Sequence, residues 1–212
     1  PSNWLQFWEN AMDPYHVWVL HSNFSTLQFA AGFKVMPKVD FEYADAAVVY
    51  HAVRRHEDGM EMDRISAAML PNVTAVPSVE LAPGRSRGVQ WWVPVDDTHF
   101  ALFASSVTNK SFDFLSMPMY NGKTWYEVTE EEHQDFPGDY EAQCGQGPIT
   151  LHSEEHLATS DRGIAMLRRL MSRQINTVQE GGDPAGVIFD PEKVTVKILS
   201  GNFVLSAGAA TT

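Results

Sequence analysis

The sequence predicts an α+β fold, in which a curved antiparallel β-sheet is followed by one long helix packed across it. Apolar and polar residues alternate repeatedly between positions 26 and 108, and this period of two is typical of half-buried strands. Between positions 160 and 180 the apolar residues instead recur with the period of an amphipathic helix. The length of 212 residues suits one hydrophobic core, so we expect a single domain over residues 1–212.

The N-terminal segment, residues 4–21, is rich in aromatic residues and leucine, and it predicts one or two short helices. Asp13 directly precedes Pro14. A capping carboxylate followed by a proline in the first helical position is a common start of a helix. We therefore expect a helix to begin at Pro14.

The sheet is expected to begin after this segment, because residues 29–35 and residues 39–43 both alternate. Residues 46–56 and 60–70 are separated by a loop that contains Asp58-Gly59, and Asp-Gly between two alternating runs is a strong hairpin signal. These strands predict a meandering antiparallel sheet.

A second hairpin is predicted from residues 89–95 and 99–107, which flank Asp96-Asp97. Residues 109–149 then show little periodicity and contain an acidic run at positions 130–132. A long irregular stretch in a compact domain is usually functional or mobile, and we expect such a segment here.

The long helix carries apolar residues at helical spacing: Ile164, Leu167, Leu170, Met171, Ile175 and Val178. Thr159 or Ser160 is expected to cap its start, and Gly181-Gly182 to end it. Residues 187–204 alternate weakly and are expected to be extended. A helix laid across a curved sheet is a helix-grip (START-like) arrangement, which leaves a cavity for an apolar ligand between the two layers.

The composition excludes several classes of function. A formal net charge of −12 argues against binding to nucleic acid or to an anionic membrane surface. No apolar run is long enough to span a bilayer, and the first ten residues do not resemble a signal peptide, so we expect a cytoplasmic protein. Cys144 is the only cysteine, which excludes an intrachain disulfide and a thiolate-ligated cluster.

The residues best suited to chemistry are Asp13, His16 and His21, because polar side chains within an apolar run are costly unless they are paired. Five residues turn an ideal α-helix through about 500°, which leaves the two imidazoles about 140° apart. Both can reach one metal ion only if the helix widens to a π-type turn or if His21 lies past its end. We therefore predict irregular backbone between them.

A useful iron site also needs a carboxylate, since two histidines and one carboxylate leave coordination positions open for oxygen and substrate. The residues themselves leave four candidates for this ligand: Asp135, Asp139, Glu141 and Asp161. Asp13 lies three residues before His16, and we expect it to hold that imidazole through the ring nitrogen that does not bind the metal.

The N-terminal pattern resembles the start of the catalytic domain of Rieske non-heme iron oxygenases, within the branch of phthalate dioxygenase and vanillate demethylase. The matching segments are Asn3-Trp4-Leu5-Gln6, Glu9-Asn10 and Asp13-x2-His16-x4-His21. Further matches follow in order along the chain at residues 91–97, 147–149, 155–157, 160–161 and 168–169. The resemblance thus covers nearly the whole chain.

The resemblance implies a role for each matching residue. His16 and His21 would be iron ligands. Asp13 would be a bridging carboxylate that links an iron ligand to a cluster-ligand histidine of a neighbouring subunit. Asn10 matches a polar position near the open face of the iron, and both Asn10 and Asp13 are therefore expected to take part in catalysis.

The resemblance also indicates the third ligand, which in this branch lies nine residues before the proline of a Gly-Pro-Ile motif. Counting back from Pro148 gives Asp139. The chain departs from the family pattern beside it, with Gly138 where Gln is usual and Cys144 where Glu is usual. A rival alignment that starts from Glu141-Ala142-Gln143 points closer to Asp135. We prefer Asp139, because its alignment needs no gap, and interpret Asp161 as a helix cap.

The implied cofactors are Fe(II) and a Rieske [2Fe–2S] cluster. One cysteine is too few for that cluster, so we expect its N-terminal domain to be absent from this chain. The implied partners are dioxygen, an aromatic substrate and a reductase or ferredoxin that relays electrons from NAD(P)H. Hydroxylation or O- or N-demethylation is the implied reaction, and a homotrimer is the implied assembly of the full-length protein.

Two alternatives remain from the residues alone. A helix-grip module could bind a small apolar ligand without any metal, and histidines with an aspartate also suit a zinc hydrolase, although its fixed helical motif is missing. Arg54, Arg55 or Arg64 could pair with a substrate carboxylate, but we expect them to be ordinary surface arginines of strands. His51 and His56 are likewise expected on the sheet surface.

Overall fold

The computed structural model of the chain describes residues 1–24, 27–107, 120–193, 197 and 199–206. Its helices are α1 (Trp4–Asn10), α2 (Pro14–Val19), α3 (Glu130–Asp135), α4 (Asp139–Gly145) and α5 (Arg162–Gln179). Its strands are β1 (Lys38–Ala44), β2 (Ala47–Arg55), β3 (Glu61–Met69), β4 (Val73–Ala75), β5 (Gly84–Arg85), β6 (Gly88–Asp96), β7 (His99–Ser106) and β8 (Gly201–Ser206). No helix within these residues is long and apolar enough to cross a bilayer.

The strands form one antiparallel sheet, as predicted, in the order β1-β2-β3-β4-β6-β7, with β8 paired to β3 and β5. The β2–β3 hairpin closes where Arg55 pairs with Glu61, and Gly59 in its turn has a φ of 82°, which favours glycine. The predicted β6–β7 hairpin is also present. Its register shifts beside Pro94, a residue that has no N–H to contribute to the ladder.

Residues 29–35 were predicted as a strand, and this prediction is wrong: Ala31–Lys34 form a 3-10 turn. Phe29 and Phe33 lie four residues apart, a spacing that places side chains on one face of either a strand or a helical turn. Their ring centroids are 5.8 Å apart and Phe33 is fully buried, so both pack into one cluster. The alternation therefore could not distinguish the two conformations.

The stretch expected to be irregular contains two short helices, α3 and α4, while its positions 109–119 lie outside the described residues. Thr129 caps α3 by accepting from the backbone N–H of Glu132, whose carboxylate accepts from the N–H of Thr129 in return. This capping box was visible in the sequence. Helices of six and seven residues are too short to show a clear period.

The long helix α5 is confirmed, but neither Thr159 nor Ser160 caps it. Both lie in a preceding 3-10 turn, and Asp161 occupies the cap position. The carboxylate of Asp161 closes that turn instead, by accepting from the N–H of Ala158 at 2.7 Å. The helix ends as predicted, since Gly181 has a φ of 83°. The tail expected to be extended over residues 187–204 forms a strand only from Gly201, in β8, while Pro191–Lys193 form a 3-10 turn.

The core lies where α5 packs across the sheet, as predicted. Leu167 is fully buried and Leu170 nearly so, and both belong to one cluster with buried residues of β1 and β2. Trp8 and Met12, from α1 and the residues after it, complete this cluster. At Gly163 a Cβ atom would lie 2.3 Å from the ring of Phe41, so the start of α5 approaches the sheet closely only because this residue is glycine.

Two arginines expected on the surface are buried. Arg54 and Arg64 are each 2% exposed, and their guanidinium groups lie 4.9 and 5.2 Å from the centre of the Phe33 ring. Arg54 donates to the carbonyl oxygen of Val35, and Arg64 to those of Pro77 and Ser78, so both are bound to loop backbone. Arg55 is exposed, as expected.

We expect Leu167→Ala to destabilise the chain by about 2–5 kcal/mol, because it removes a fully buried side chain at the centre of the helix–sheet contact. Urea unfolding at equilibrium measures this free energy. Ile175→Ala is the matched control on the same helix. Its side chain is 50% exposed, so its effect should stay within about 0.5 kcal/mol. Equal effects of the two substitutions would contradict the observed packing.

His51 joins three strands, since its Nδ1 lies 2.7 Å from Asp63 of β3 and its Nε2 lies 3.5 Å from Glu42 of β1. Burial lowers the pKa of His51, but the hydrogen bond and charge of Asp63, assisted by Glu42, outweigh it and raise this pKa above its usual value. A group whose pKa is raised by folding stabilises the folded chain when it is protonated. The contribution is therefore complete below about pH 6.5 and is lost as the pH rises through the raised pKa.

We accordingly expect His51→Gln to reduce the free energy of unfolding more at pH 5.5 than at pH 8.5, as urea denaturation at both values would measure. His99→Gln is the control. His99 also contacts a carboxylate, that of Asp96, but both side chains are more than half exposed and water screens the pair. The same loss of stability for His51→Gln at both pH values would refute the role of its protonated form.

Candidate metal centre

Three residues that are distant in sequence meet at one point. His16 lies in α2, His21 lies in the π-helical turn Leu20–Phe24 that follows, and Asp139 is the first residue of α4. One ligand atom from each lies within 4.8 Å of the other two. The Oδ1 atom of Asp139 is 3.5 Å from Nε2 of His16 and 3.0 Å from Nε2 of His21.

The helix that carries His16 begins as the sequence predicted. Asp13 occupies the N-cap position of α2, with Pro14 as the first helical residue. The Asp13 carboxylate accepts from the backbone N–H groups of Tyr15 at 2.9 Å and of His16 at 3.2 Å. The cap thus fixes the first turn of α2 and with it the position of His16.

The predicted irregularity between the two histidines is confirmed as a π-helical turn that begins at Leu20. Two side chains satisfy carbonyl groups beside this turn. Ser22 donates to the carbonyl oxygen of Val17 at 2.9 Å, and Asn23 donates to that of Trp18 at 2.6 Å. The wider turn brings the two imidazole rings to one side, with their centroids 5.3 Å apart.

Each imidazole is held through its Nδ1 atom. Nδ1 of His16 contacts the main-chain carbonyl oxygen of Asp13, and Nδ1 of His21 lies 2.8 Å from the side-chain oxygen Oε1 of Gln28. These oxygens only accept, so each Nδ1 carries a hydrogen. The Asp13 carboxylate is 3.9 Å from Nδ1 of His16, so the carbonyl group of Asp13, rather than the expected carboxylate, holds this ring.

Both Nε2 atoms consequently face the same carboxylate oxygen. A neutral imidazole has one N–H, which is already used at Nδ1, and its Nε2 offers a lone pair. A lone pair and a carboxylate oxygen 3.0 Å apart repel each other unless a proton or a metal cation lies between them. The convergence of His16, His21 and Asp139 therefore favours a bound cation.

The charges in the centre support the same interpretation. When the imidazoles carry a second proton in place of a metal, burial alone would raise the pKa of Asp139, but the hydrogen bond from His21 and the charges of both histidines lower that pKa to about 2. Asn10 adds to this effect by donating from Nδ2 to Oδ1 of Asp139 at 3.2 Å. Burial lowers the pKa of His21, yet its hydrogen bond to Asp139 and the charge of Asp139 raise it overall. Asp139 is thus an anion at neutral pH.

The other carboxylates considered for the third ligand lie elsewhere in the described structure. Glu141 accepts from the N–H of Gly138 at 2.7 Å and pairs with Nδ1 of His133 at 2.7 Å. Asp161 closes the turn before α5. Asp135 is the last residue of α3 and is not part of the cluster. Asp139 is the candidate that the fold brings to the two histidines.

Two cavities adjoin this centre. One of about 390 Å³ is lined by His16 and Asp139, and by apolar residues that include Val19 and Leu20. The other, of about 600 Å³, lies between α1, the loop before α5 and α5 itself. Both are lined by helices and loops, whereas the cavity was expected between α5 and the sheet. Buried side chains such as Leu167 fill that interface.

The wall of the larger cavity contains an ion-pair network that the sequence did not reveal. Arg168 donates to both carboxylate oxygens of Glu9 at 2.6 Å and also pairs with Glu155. Burial raises the pKa of Glu9 although Arg168 opposes this shift, and its two carboxylate partners raise the pKa of Arg168. The network joins α1 to α5 beside the candidate centre.

Sequence reasoning also missed Gln28, which contacts His21. Its position was assigned to the region of the first expected strand, where a glutamine carries no particular signal. Its contact with Pro137, just before α4, joins positions 28 and 137, so only the folded chain reveals it.

No family model matches the chain, but curated relatives do. Phenoxybenzoate dioxygenase subunit alpha of Ectopseudomonas oleovorans is 56% identical over 96% of this chain and 50% of its own length. The tert-butanol monooxygenase / tert-amyl alcohol desaturase oxygenase subunit of Aquincola tertiaricarbonis is 36% identical over 80% of this chain and 42% of its own length. The 5,5'-dehydrodivanillate O-demethylase oxygenase subunit of Sphingobium sp. (strain NBRC 103272 / SYK-6) is 29% identical over 90% of this chain and 46% of its own length.

The chain thus spans about half the length of the curated relatives it matches. The three relatives are all oxygenase subunits, and the match covers at least 80% of this chain in each case. We conclude that this chain is a homologue of the oxygenase subunits of Rieske oxygenases and corresponds to about half of such a subunit.

Proposed function

We propose that the chain is the iron-bearing catalytic part of an oxygenase that uses dioxygen to hydroxylate or demethylate an aromatic or similar cyclic compound. The observation that carries this proposal is the convergence of His16, His21 and Asp139, with both Nδ1 atoms held by acceptors and both Nε2 atoms directed at one carboxylate. The relatives support the reaction class, since their names describe a dioxygenase, a monooxygenase and an O-demethylase.

The three side chains fit ferrous iron. Two histidines and one carboxylate on one face of the metal are typical of non-heme iron oxygenases, and the opposite face stays open. Ligands about 2.1 Å from a metal and at right angles to each other lie roughly 3 Å apart. The separations of 3.0 and 3.5 Å around Asp139 are close to this value. Bound there, iron would supply the activation of dioxygen and the transfer of electrons to it.

The residues around the metal position have separate tasks in this proposal. Asn10 donates to Asp139 and so holds the carboxylate towards the two histidines. The cavity of about 390 Å³ gives small molecules access to His16 and Asp139. Its apolar wall, which includes Val19 and Leu20, suits a substrate with little charge and reduces the water near the centre.

Electrons would arrive from NAD(P)H through a reductase or ferredoxin and a Rieske [2Fe–2S] cluster. We place this cluster outside these 212 residues, because Cys144 cannot provide its two thiolates. Asp13 is suited to the contact with a cluster-bearing domain of a neighbouring subunit, since its carboxylate is 30% exposed and lines both cavities beside His16. A homotrimer in the cytoplasm remains the expected assembly.

Iron binding tests the centre. We expect the chain to bind about one Fe(II) when it is supplied anaerobically, as a single facial triad implies, and His16→Ala and Asp139→Ala to abolish tight binding. Metal analysis after desalting and titration with Fe(II) would measure both. Asp135→Ala is the matched control, since it removes the rival carboxylate.

Tight iron binding by His16→Ala, or its loss in Asp135→Ala, would contradict the assigned ligands. If the parent chain binds no iron but binds apolar molecules in its cavities, the metal-free binding module is correct instead.

Asp13→Asn tests the route of the electrons in the full-length oxygenase subunit with its cluster. Asparagine caps helices as well as aspartate does, so α2 and the Fe(II) affinity should be unchanged. Oxygenation driven by NAD(P)H should fall by roughly tenfold or more, because asparagine lacks the charge that would make the contact with the cluster-bearing domain a charge-assisted hydrogen bond. Full activity of the variant would exclude Asp13 from this route.

A further inference from the structure

Gln28 is the side chain that joins the two segments carrying the candidate ligands. Its Oε1 atom lies 2.8 Å from Nδ1 of His21, and its Nε2 atom donates to the carbonyl oxygen of Pro137 at 2.8 Å. The backbone N–H of Gln28 also donates to the carbonyl oxygen of His21 at 2.8 Å. One half-buried amide thus contacts the π-helical turn on one side and the start of α4 on the other.

The orientation of this amide follows from its partners. The carbonyl oxygen of Pro137 can only accept, so the NH2 group of Gln28 must face it. Oε1 must then face His21, and Nδ1 of His21 must carry the hydrogen of that bond. The Nε2 atom of His21 is left to face Asp139, as a metal ligand requires. The carbonyl group of Pro137, 109 residues away from Gln28, thereby determines which nitrogen of His21 is free to bind a metal.

The far end of this connection lies directly before a ligand. Pro137 is followed by Gly138 and then by Asp139. Gly138 is itself held, because its N–H donates to Glu141 of α4 at 2.7 Å. The peptide group between Pro137 and Gly138 is thus bonded through both its carbonyl oxygen and its N–H, and it has little freedom to shift. The bond from Gln28 to Pro137 therefore sets the position of Asp139 relative to His21.

We propose that Gln28 is a positioning residue of the metal centre, which orients the His21 ring and ties the start of α4 to the π-helical turn. This inference rests on the proposed function, because it concerns residues assigned there as iron ligands. Gln28 itself would not touch the metal. Its effect would be to hold two of the three ligands at the separation that the metal needs, so that little ordering remains when the metal binds.

Two variants and one control test this role. Gln28→Met keeps a side chain of similar length but loses both hydrogen bonds. Gln28→Glu keeps an acceptor for Nδ1 of His21 but cannot donate to Pro137. Gln174→Met is the matched control, because Gln174 is also half-buried and its amide oxygen accepts from the N–H of Ala185 at 2.7 Å, in a part of the fold away from the metal centre.

Two readouts separate this inference from the proposed function. Titration with Fe(II) or Co(II) measures the affinity for the metal, and the absorption spectrum of bound Co(II) reports its coordination. Hydrogen exchange of the α4 amides, such as the N–H of Ala142 that bonds to Gly138, reports the tie to α4 in the metal-free chain. Thermal melting confirms that each variant is folded.

We expect Gln28→Met to bind Fe(II) and Co(II) about 10–100-fold more weakly and to change the Co(II) spectrum, whereas Gln174→Met binds both within about twofold of the parent. Gln28→Glu should recover part of the lost affinity through its acceptor. Both Gln28 variants should exchange the α4 amides faster than the parent does.

A Gln28→Met variant with parental metal affinity, Co(II) spectrum and α4 exchange would overturn the inference. A parent chain that binds no metal would instead overturn the proposed function, and the exchange of α4 would still decide whether Gln28 ties it to the π-helical turn.

Discussion

The carboxylate of Asp139 is the group on which the candidate centre depends. Its Oδ1 atom meets the Nε2 atoms of His16 and His21 and the amide of Asn10, so three side chains converge on one oxygen. The negative charge of Asp139 is stable in this half-buried position because these partners replace the water that burial removes, and they lower the pKa of Asp139. The same partners leave lone pairs directed at a common point, which is where a cation would replace a proton.

The rest of the fold brings the two halves of this centre together. The histidines lie in a helix and a π-helical turn near the N-terminus, while Asp139 begins a helix more than a hundred residues later. The sheet and α5 supply the rigid core, and Met12 joins the residues before α2 to that core. Arg168 fixes α1 to α5 through Glu9, and Gln28 connects the π-helical turn to α4. The first of these two connections holds the helix that carries Asn10, and the second restrains the segments that carry His21 and Asp139.

The interpretations that failed share a physical cause. Residues 29–35 alternate as a strand would, but Phe29 lies before the 3-10 turn and Phe33 within it, and the packing of both rings into one cluster produces the same alternation. Arg54 and Arg64 looked like surface residues, because charged side chains are seldom buried, yet loop carbonyl groups and the Phe33 ring receive them. In these cases the deciding contact comes from a distant part of the chain, which local periodicity does not report.

The sequence by itself determined the α+β class, the hairpins, the helix start at Asp13-Pro14 and the irregular backbone between His16 and His21. These follow from periods, caps and helical geometry, which are local properties. The sequence also left four carboxylates as candidates for the third metal ligand, and the family resemblance favoured Asp139 among them. Only the tertiary structure decided that Asp139 meets the histidines and that Gln28 ties His21 to the segment before α4, because the Asp139–His21 and Gln28–Pro137 contacts each join residues more than a hundred positions apart.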